Sequence, residues 1–467
     1  MTDLTRASAG DLVRRLRAGD ISAEDLMRAS LARIEAVNPG LNAVVALDDP
    51  DHLMAQARAA DETEPRGPLH GLPIAVKDLV NVRGLVSCHG SPALAGFVPE
   101  TDDLIAARMR AAGAILIGKT NTPEWGLGSH TFNPVYGPTR NPYDASRSAG
   151  GSSGGAAVAL AAGMIPLADG SDMMGSLRNP AGWNNVYGFR PSWGWVPSEP
   201  LGDTFLHQLA TLGPMARCPG DLGLLLDVIA GPDPRQPHGH DAQPIGTVTE
   251  ADLKGMRLGW LGDWGGALPF EEGVLATCRA ALSTFADLGA EVVEMPPPFD
   301  ADAMWRSWVA LRSWAVAGGL GPLLDQGKPL KDTALWEIET GRALSAMDVH
   351  KASLIRSDWF RKAAEAFETY DAILLPTAQV WPFDVMQDYP RSIGDRQMDT
   401  YHRWMQVVIP ASLIGLPTLA VPAGFGAQGW PMGLQIIGPR GSDKRLLQIG
   451  AAWHAATDWP GRRPPSV

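Results

Sequence analysis

The chain has 467 residues, 45% hydrophobic and 19% charged, the proportions of a globular protein with a sizeable core and not of a fibrous or disordered one. Its 39 basic and 51 acidic residues give a net charge of −12, which argues against a broad nucleic-acid or anionic-membrane footprint. The three cysteines, Cys88, Cys218 and Cys278, lie far apart without metal-type spacing, which excludes a disulfide framework and a zinc site.

The first twenty residues lack the apolar core of a signal peptide, and no run of 18 apolar residues occurs. The expectation is a cytoplasmic protein with no cofactor, no metal, no membrane and no nucleic-acid partner. Sixteen tryptophans admit two readings, an aromatic-lined pocket or simple core filling. Residues 1–60 read as helices. Ser22 with Asp25 resembles a capping box, and Leu26, Leu31, Ile34 and Val37 mark an apolar face that Asn38-Pro39-Gly40 should end. Residues 74–76 read as a short buried strand with Lys77 at its end, and the local alternative for Lys77 is a surface pair with Asp78. Residues 104–112 read as a helix and 114–117 as a strand.

GAILIGKT, residues 113–120, satisfies the phosphate-loop pattern but in inverted context, with a helix before the first Gly and strand-like residues within. The nucleotide reading is therefore rejected. Residues 122–147, rich in Pro, Gly, Asn and aromatics, read as a long ordered loop of the kind that carries function. Beyond residue 186 short strands and helices alternate: strands at 255–260, 290–295, 372–376, 417–421 and 433–437, and helices at 222–229, 272–288 and 404–414. Residues 300–370 are mainly helical. With no repeat and no domain break, one large α/β domain is the simplest account: N-terminal helices (1–60), a catalytic core (70–200) and a mainly helical pocket region (300–400).

The stretch 150–180, GGSSGGAAVALAAGMIPLADGSDMMGSLRNP, carries the chemistry. Two serine clusters bracketed by glycines flank a 13-residue apolar run that suits a buried helix followed by a buried strand. Serine needs a base. No histidine lies in the stretch (the nearest upstream is His130), and no G-x-S-x-G elbow occurs. Lysine serves only when neutral, and at its reference pKa about 1 in 2,000 is neutral at pH 7, so burial must lower it by several units. Lys77 has that setting. Ser152 reads locally as a helix N-cap and Ser176 as a turn serine. Successive N–H groups of Met173, Met174 and Gly175 suit an oxyanion, and Asp172 and Arg178 suit either a brace for that loop or an ordinary salt bridge.

GGSSGG, a small-residue helix and G-S-D-x-x-G-S-x-R-x-P together resemble the signature of the amidase signature family of serine hydrolases. GLPIAVKD, GKTNTPEW, DAILLPT, GLPTLAVPAGF and PMGLQIIGPR follow the family order along most of the chain. The resemblance implies an α/β/α fold around a large mixed sheet and a Ser–cis-Ser–Lys triad. Ser176 would be the nucleophile, Ser152 the relay after a cis Gly151–Ser152 bond, and Lys77 the base. Gly151, Ser153, Asp172 and Arg178 would support it, and the N–H groups of Met173, Met174, Gly175 and Ser176 would form the oxyanion hole. One departure stands out: Met174 occupies a position that is usually glycine. Trp125, Gly126, Met173 and Met174 are the candidate pocket residues. The expected activity is hydrolysis of a small amide, carbamate or ester with apolar groups, by a monomer or homodimer. The alternatives are a glutamine-hydrolysing component of an amidotransferase that works on charged tRNA, and a non-catalytic binding relative.

Overall fold

The computed structural model describes residues 4–467. Among them, eight strands form a mixed sheet in the spatial order Glu291–Glu294, Arg257–Trp260, Ala372–Pro376, Pro431–Ile437, Thr418–Phe425, Tyr187–Arg190, Thr211–Ala216, Leu167–Asp172. The first three run parallel and the remaining neighbours antiparallel, and helices surround the sheet. The central strand Ala372–Pro376 is buried at every residue and reads as a continuous apolar run, which is why 372–376 is recovered residue for residue from the sequence. A second sheet sets Ile115–Thr120 between Val44–Val45 and Pro73–Lys77. The fold is the expected α/β one.

Two readings shift at element ends. The N-terminal helix Ala23–Leu41 begins at the Ser22–Asp25 capping box but runs through Pro39. Its end is set by the Asn38 side chain, whose Oδ1 accepts the N–H groups of Ala43 (2.8 Å) and Val44 (2.9 Å), with Asn42 left-handed at the cap. Gly118, Lys119 and Thr120 continue their strand instead of following it, so no loop exists there to cradle a phosphate. The strand Thr211–Ala216 escapes sequence reading because Gly213 and Pro214 look like turn residues; the helices Arg178–Trp183 and Asp443–Thr457 escape it as well.

The helix Gly154–Ala161 is buried at every residue and lies between the two sheets. A Cβ at Gly155 would stand 2.3 Å from the Asn121 nitrogen and 2.7 Å from the Ala43 carbonyl, so only glycine admits this approach. Seven tryptophans (Trp183, Trp260, Trp264, Trp308, Trp359, Trp404, Trp453) are fully buried core residues. With Trp305 and Trp381, also buried, core filling explains nine of the sixteen tryptophans. No helix of the described residues is long and apolar enough to cross a membrane.

Candidate active site

Lys77 ends its strand 1% exposed, and the surface pair with Asp78 does not form. Asp78 instead accepts the N–H groups of Cys88 (3.1 Å) and Gly90 (3.0 Å). Lys77 Nζ lies 2.8 Å from Ser152 Oγ, 2.8 Å from Ser153 Oγ and 3.0 Å from Ser171 Oγ. Burial lowers its pKa to about 7, against the opposing pull of Asp169 and Asp172. At that value about half the lysines are neutral at pH 7, and a neutral amine touching a hydroxyl can take its proton.

The Gly151–Ser152 peptide bond is cis. Ser153, not Ser152, occupies the cap position of the following helix, and it makes no side-chain cap bond. Its hydroxyl faces Lys77, while its N–H donates to the Ser176 carbonyl at 3.2 Å. Ser152 and Ser176 open on one cavity of about 170 Å³, walled by Leu79, Trp125, Leu127, Met173, Met174 and Met405. All four candidate pocket residues line it. Ser171, Gly128, Ala210 and Arg312 line it too, and sequence reasoning missed them. Arg312 is the contribution of residues 300–400, a smaller share than expected of that segment.

The loop at 173–177 is held by one carboxylate. Asp172 is fully buried and accepts Arg178 through both oxygens (2.9 and 3.0 Å), Arg190 at 3.2 Å, and the N–H groups of Gly175 (2.8 Å) and Leu177 (3.2 Å). Against its burial, Arg178 and Arg190 hold its carboxyl well below the usual carboxylate range. Two corrections follow. The Gly175 N–H is engaged by Asp172, which leaves Met173, Met174 and Ser176 as the N–H groups for an oxyanion. Met174 does not adopt a positive φ; Gly175 does, at 78°, and a Cβ there would stand 2.8 Å from the Val408 side chain. The glycine requirement sits at 175 alone.

His130 is no rival base. Its ring nitrogens lie 2.7 Å from Ser148 Oγ and 2.9 Å from the Val385 carbonyl, and burial lowers its pKa to about 4. A larger hollow of about 640 Å³ lies beside Trp193 and Arg356, but its Ser357 hydroxyl donates to the Ser353 carbonyl at 2.8 Å rather than to a base. Among the described residues no cluster of His, Cys, Asp or Glu is disposed to hold a metal.

Comparison with known proteins points to one family. The family model described as Amidase matches residues 25–447. An acylamidase of Rhodococcus erythropolis is 33% identical over 98% of this chain and 97% of its own. One component of the glutamyl-tRNA(Gln) amidotransferase of Salinispora arenicola is 36% identical over 98% of both chains. Among solved structures, a bacterial aryl acylamidase of the amidase signature family superposes with a TM-score of 0.92 at 28% identity over 99% of each chain. The 6-aminohexanoate cyclic dimer hydrolase, solved with its substrate, does so at 0.88 and 27%, again over 99% of each.

Proposed function

This chain belongs to the amidase signature family of amide hydrolases, and on that premise we propose that it cleaves the C–N bond of a small amide bearing an apolar or aryl group. The observation that carries the proposal is Lys77 Nζ at 2.8 Å from Ser152 Oγ, with Ser152 and Ser176 facing one apolar-walled cavity. Ser176 Oγ attacks the acyl carbon. Its proton passes to Ser152 as the Ser152 proton passes to neutral Lys77. The oxyanion is met by the N–H groups of Met173, Met174 and Ser176. When the C–N bond breaks, the proton returns through Ser152 to the departing amine. Water, activated by the same relay, then releases the acid from Ser176.

The cavity, at about 170 Å³, is smaller than the roughly 300–1,000 Å³ of drug-sized sites, which supports a small substrate. Arg312, the one cation in its wall, already donates to Glu337 Oε1 (2.6 Å) and to the Tyr401 hydroxyl (2.8 Å). A free amino acid such as glutamine needs an unpaired cation for its carboxylate and an acid for its ammonium, and the wall supplies neither. Aryl carbamates and aryl esters present the same carbonyl to the same nucleophile and belong to the proposed range.

The test is turnover of an aryl anilide, an aryl carbamate, an aryl ester and glutamine by the wild type and by Ser176→Ala. Ser176-dependent cleavage of the anilide is the expected result. Glutamine turnover alone would transfer the protein to the amidotransferase reading. An anilidase activity that survives Ser176→Ala would overturn the mechanism.

A further inference from the structure

The interior behind Lys77 holds ionisable groups that the acyl-transfer steps do not use. Asp169 lies on the strand Leu167–Asp172, 0% exposed. Its Oδ1 accepts the main-chain N–H of Lys77 at 2.9 Å, and its Oδ2 has no hydrogen-bond partner among the described residues. Alternate residues of a strand share a face, so Asp169 and Ser171 point the same way. Ser171 Oγ is 3.0 Å from Lys77 Nζ. One face of one strand thus holds Lys77 at both ends, main chain and amine. This hold also crosses between the sheets, since Lys77 belongs to the small one and Asp169 to the edge of the large one.

The charges around Lys77 single out the same residue. Two carboxylates face its amine, Asp169 and Asp172. Asp172 is already matched by the guanidinium groups of Arg178 and Arg190. Asp169 has no guanidinium partner, and burial raises its pKa against the pull of the Lys77 N–H, Lys119 and the Lys77 amine. The cations facing it are Lys77 itself and Lys119 of the neighbouring strand, and Lys119 also faces Asp78, Asp103 and Cys88 and gives its hydrogen bonds to the Val80 carbonyl and Ser87. A buried lysine with no compensating anion is a poor proton acceptor. Asp169 is the anion left to compensate it.

We propose that Asp169 is a positioning residue for amide cleavage: its carboxylate fixes the Lys77 main chain and supplies negative charge, unmatched by any guanidinium, that lets the amine accept the Ser152 proton. The inference rests on Lys77 acting as the base. Asp169→Asn keeps an oxygen for the Lys77 N–H at nearly unchanged volume and removes the charge. The experiment is the pH profile of kcat/KM for aryl anilide hydrolysis, wild type against Asp169→Asn, with Lys77→Ala in parallel. The acid limb of the variant is expected about one pH unit lower than that of the wild type, with a plateau reduced about tenfold. The position of a limb does not depend on how much of the sample is folded, so a partly unfolded variant cannot imitate the shift. A lowered plateau with an unmoved limb would make Asp169 a packing residue and overturn the inference alone. Near-normal rates in Lys77→Ala would overturn both the base assignment and the inference.

Discussion

Lys77 ends its strand, and Lys119 stands one residue before the end of the adjacent parallel strand: Val76 pairs with Lys119 and Lys77 with Thr120. Both are almost wholly buried, and burial lowers both, Lys77 to about 7 and Lys119 to about 8. Their surroundings part them. Lys77 reaches three serine hydroxyls, two of which (Ser152 and Ser171) line the cavity, whereas Lys119 reaches the Val80 carbonyl and Ser87 in closed interior. Desolvation makes a lysine available as a base. The groups within its reach decide whether it has a proton to take.

Substitution of each lysine should break the pair apart. Lys77→Ala is expected to lower kcat by about three orders of magnitude or more in a folded protein, read from anilide turnover beside circular dichroism. Lys119→Met leaves Asp78 and Asp169 without their shared cation. It is expected to cost about 3–5 kcal/mol of stability, seen in urea unfolding, while kcat of the folded fraction changes far less than in Lys77→Ala. Comparable kcat losses in the two variants would erase the distinction.

Smaller effects sharpen the contrast. Gly175→Ala forces a Cβ against Val408 at a positive φ and should lower kcat about a hundredfold, whereas Met174→Gly should change it less than about fivefold. A larger effect at 174 than at 175 would reverse the reading of that loop. Finally, kcat/KM should fall about tenfold per pH unit below about 7 and level off above it, because the base must be neutral and its value lies near 7. A profile flat from about pH 5 to about pH 8 would mean that Lys77 does not carry the proton.

How legible the site is from the chain depends on how local each part is. Lys77 at the end of an apolar strand, and two serine clusters around a small-residue helix, lie within short segments whose motifs resemble a family signature, and that resemblance supplies the roles that local composition leaves open. The pocket does not. Leu79, Leu127, Ala210, Arg312 and Met405 come from five separate segments, and each is unremarkable among its own neighbours. The tryptophans mislead in the same way: composition suggests an aromatic pocket, but Trp125 is the one that lines this cavity, and packing takes most of the others. Met174 looks like a threat to the oxyanion loop, because a sequence motif does not say which of two positions carries the left-handed backbone.

Asp172 gives the site an unusual response to acid. The stability that Asp172 contributes is fully present above the unfolded carboxylate value of about 4 and disappears only as pH falls through its depressed folded value. Lys77 takes up its proton much earlier, near 7. Between those two events the nucleophile loop stays clamped while the relay stands idle. Mild acid should therefore silence the relay while Asp172 still holds the nucleophile loop.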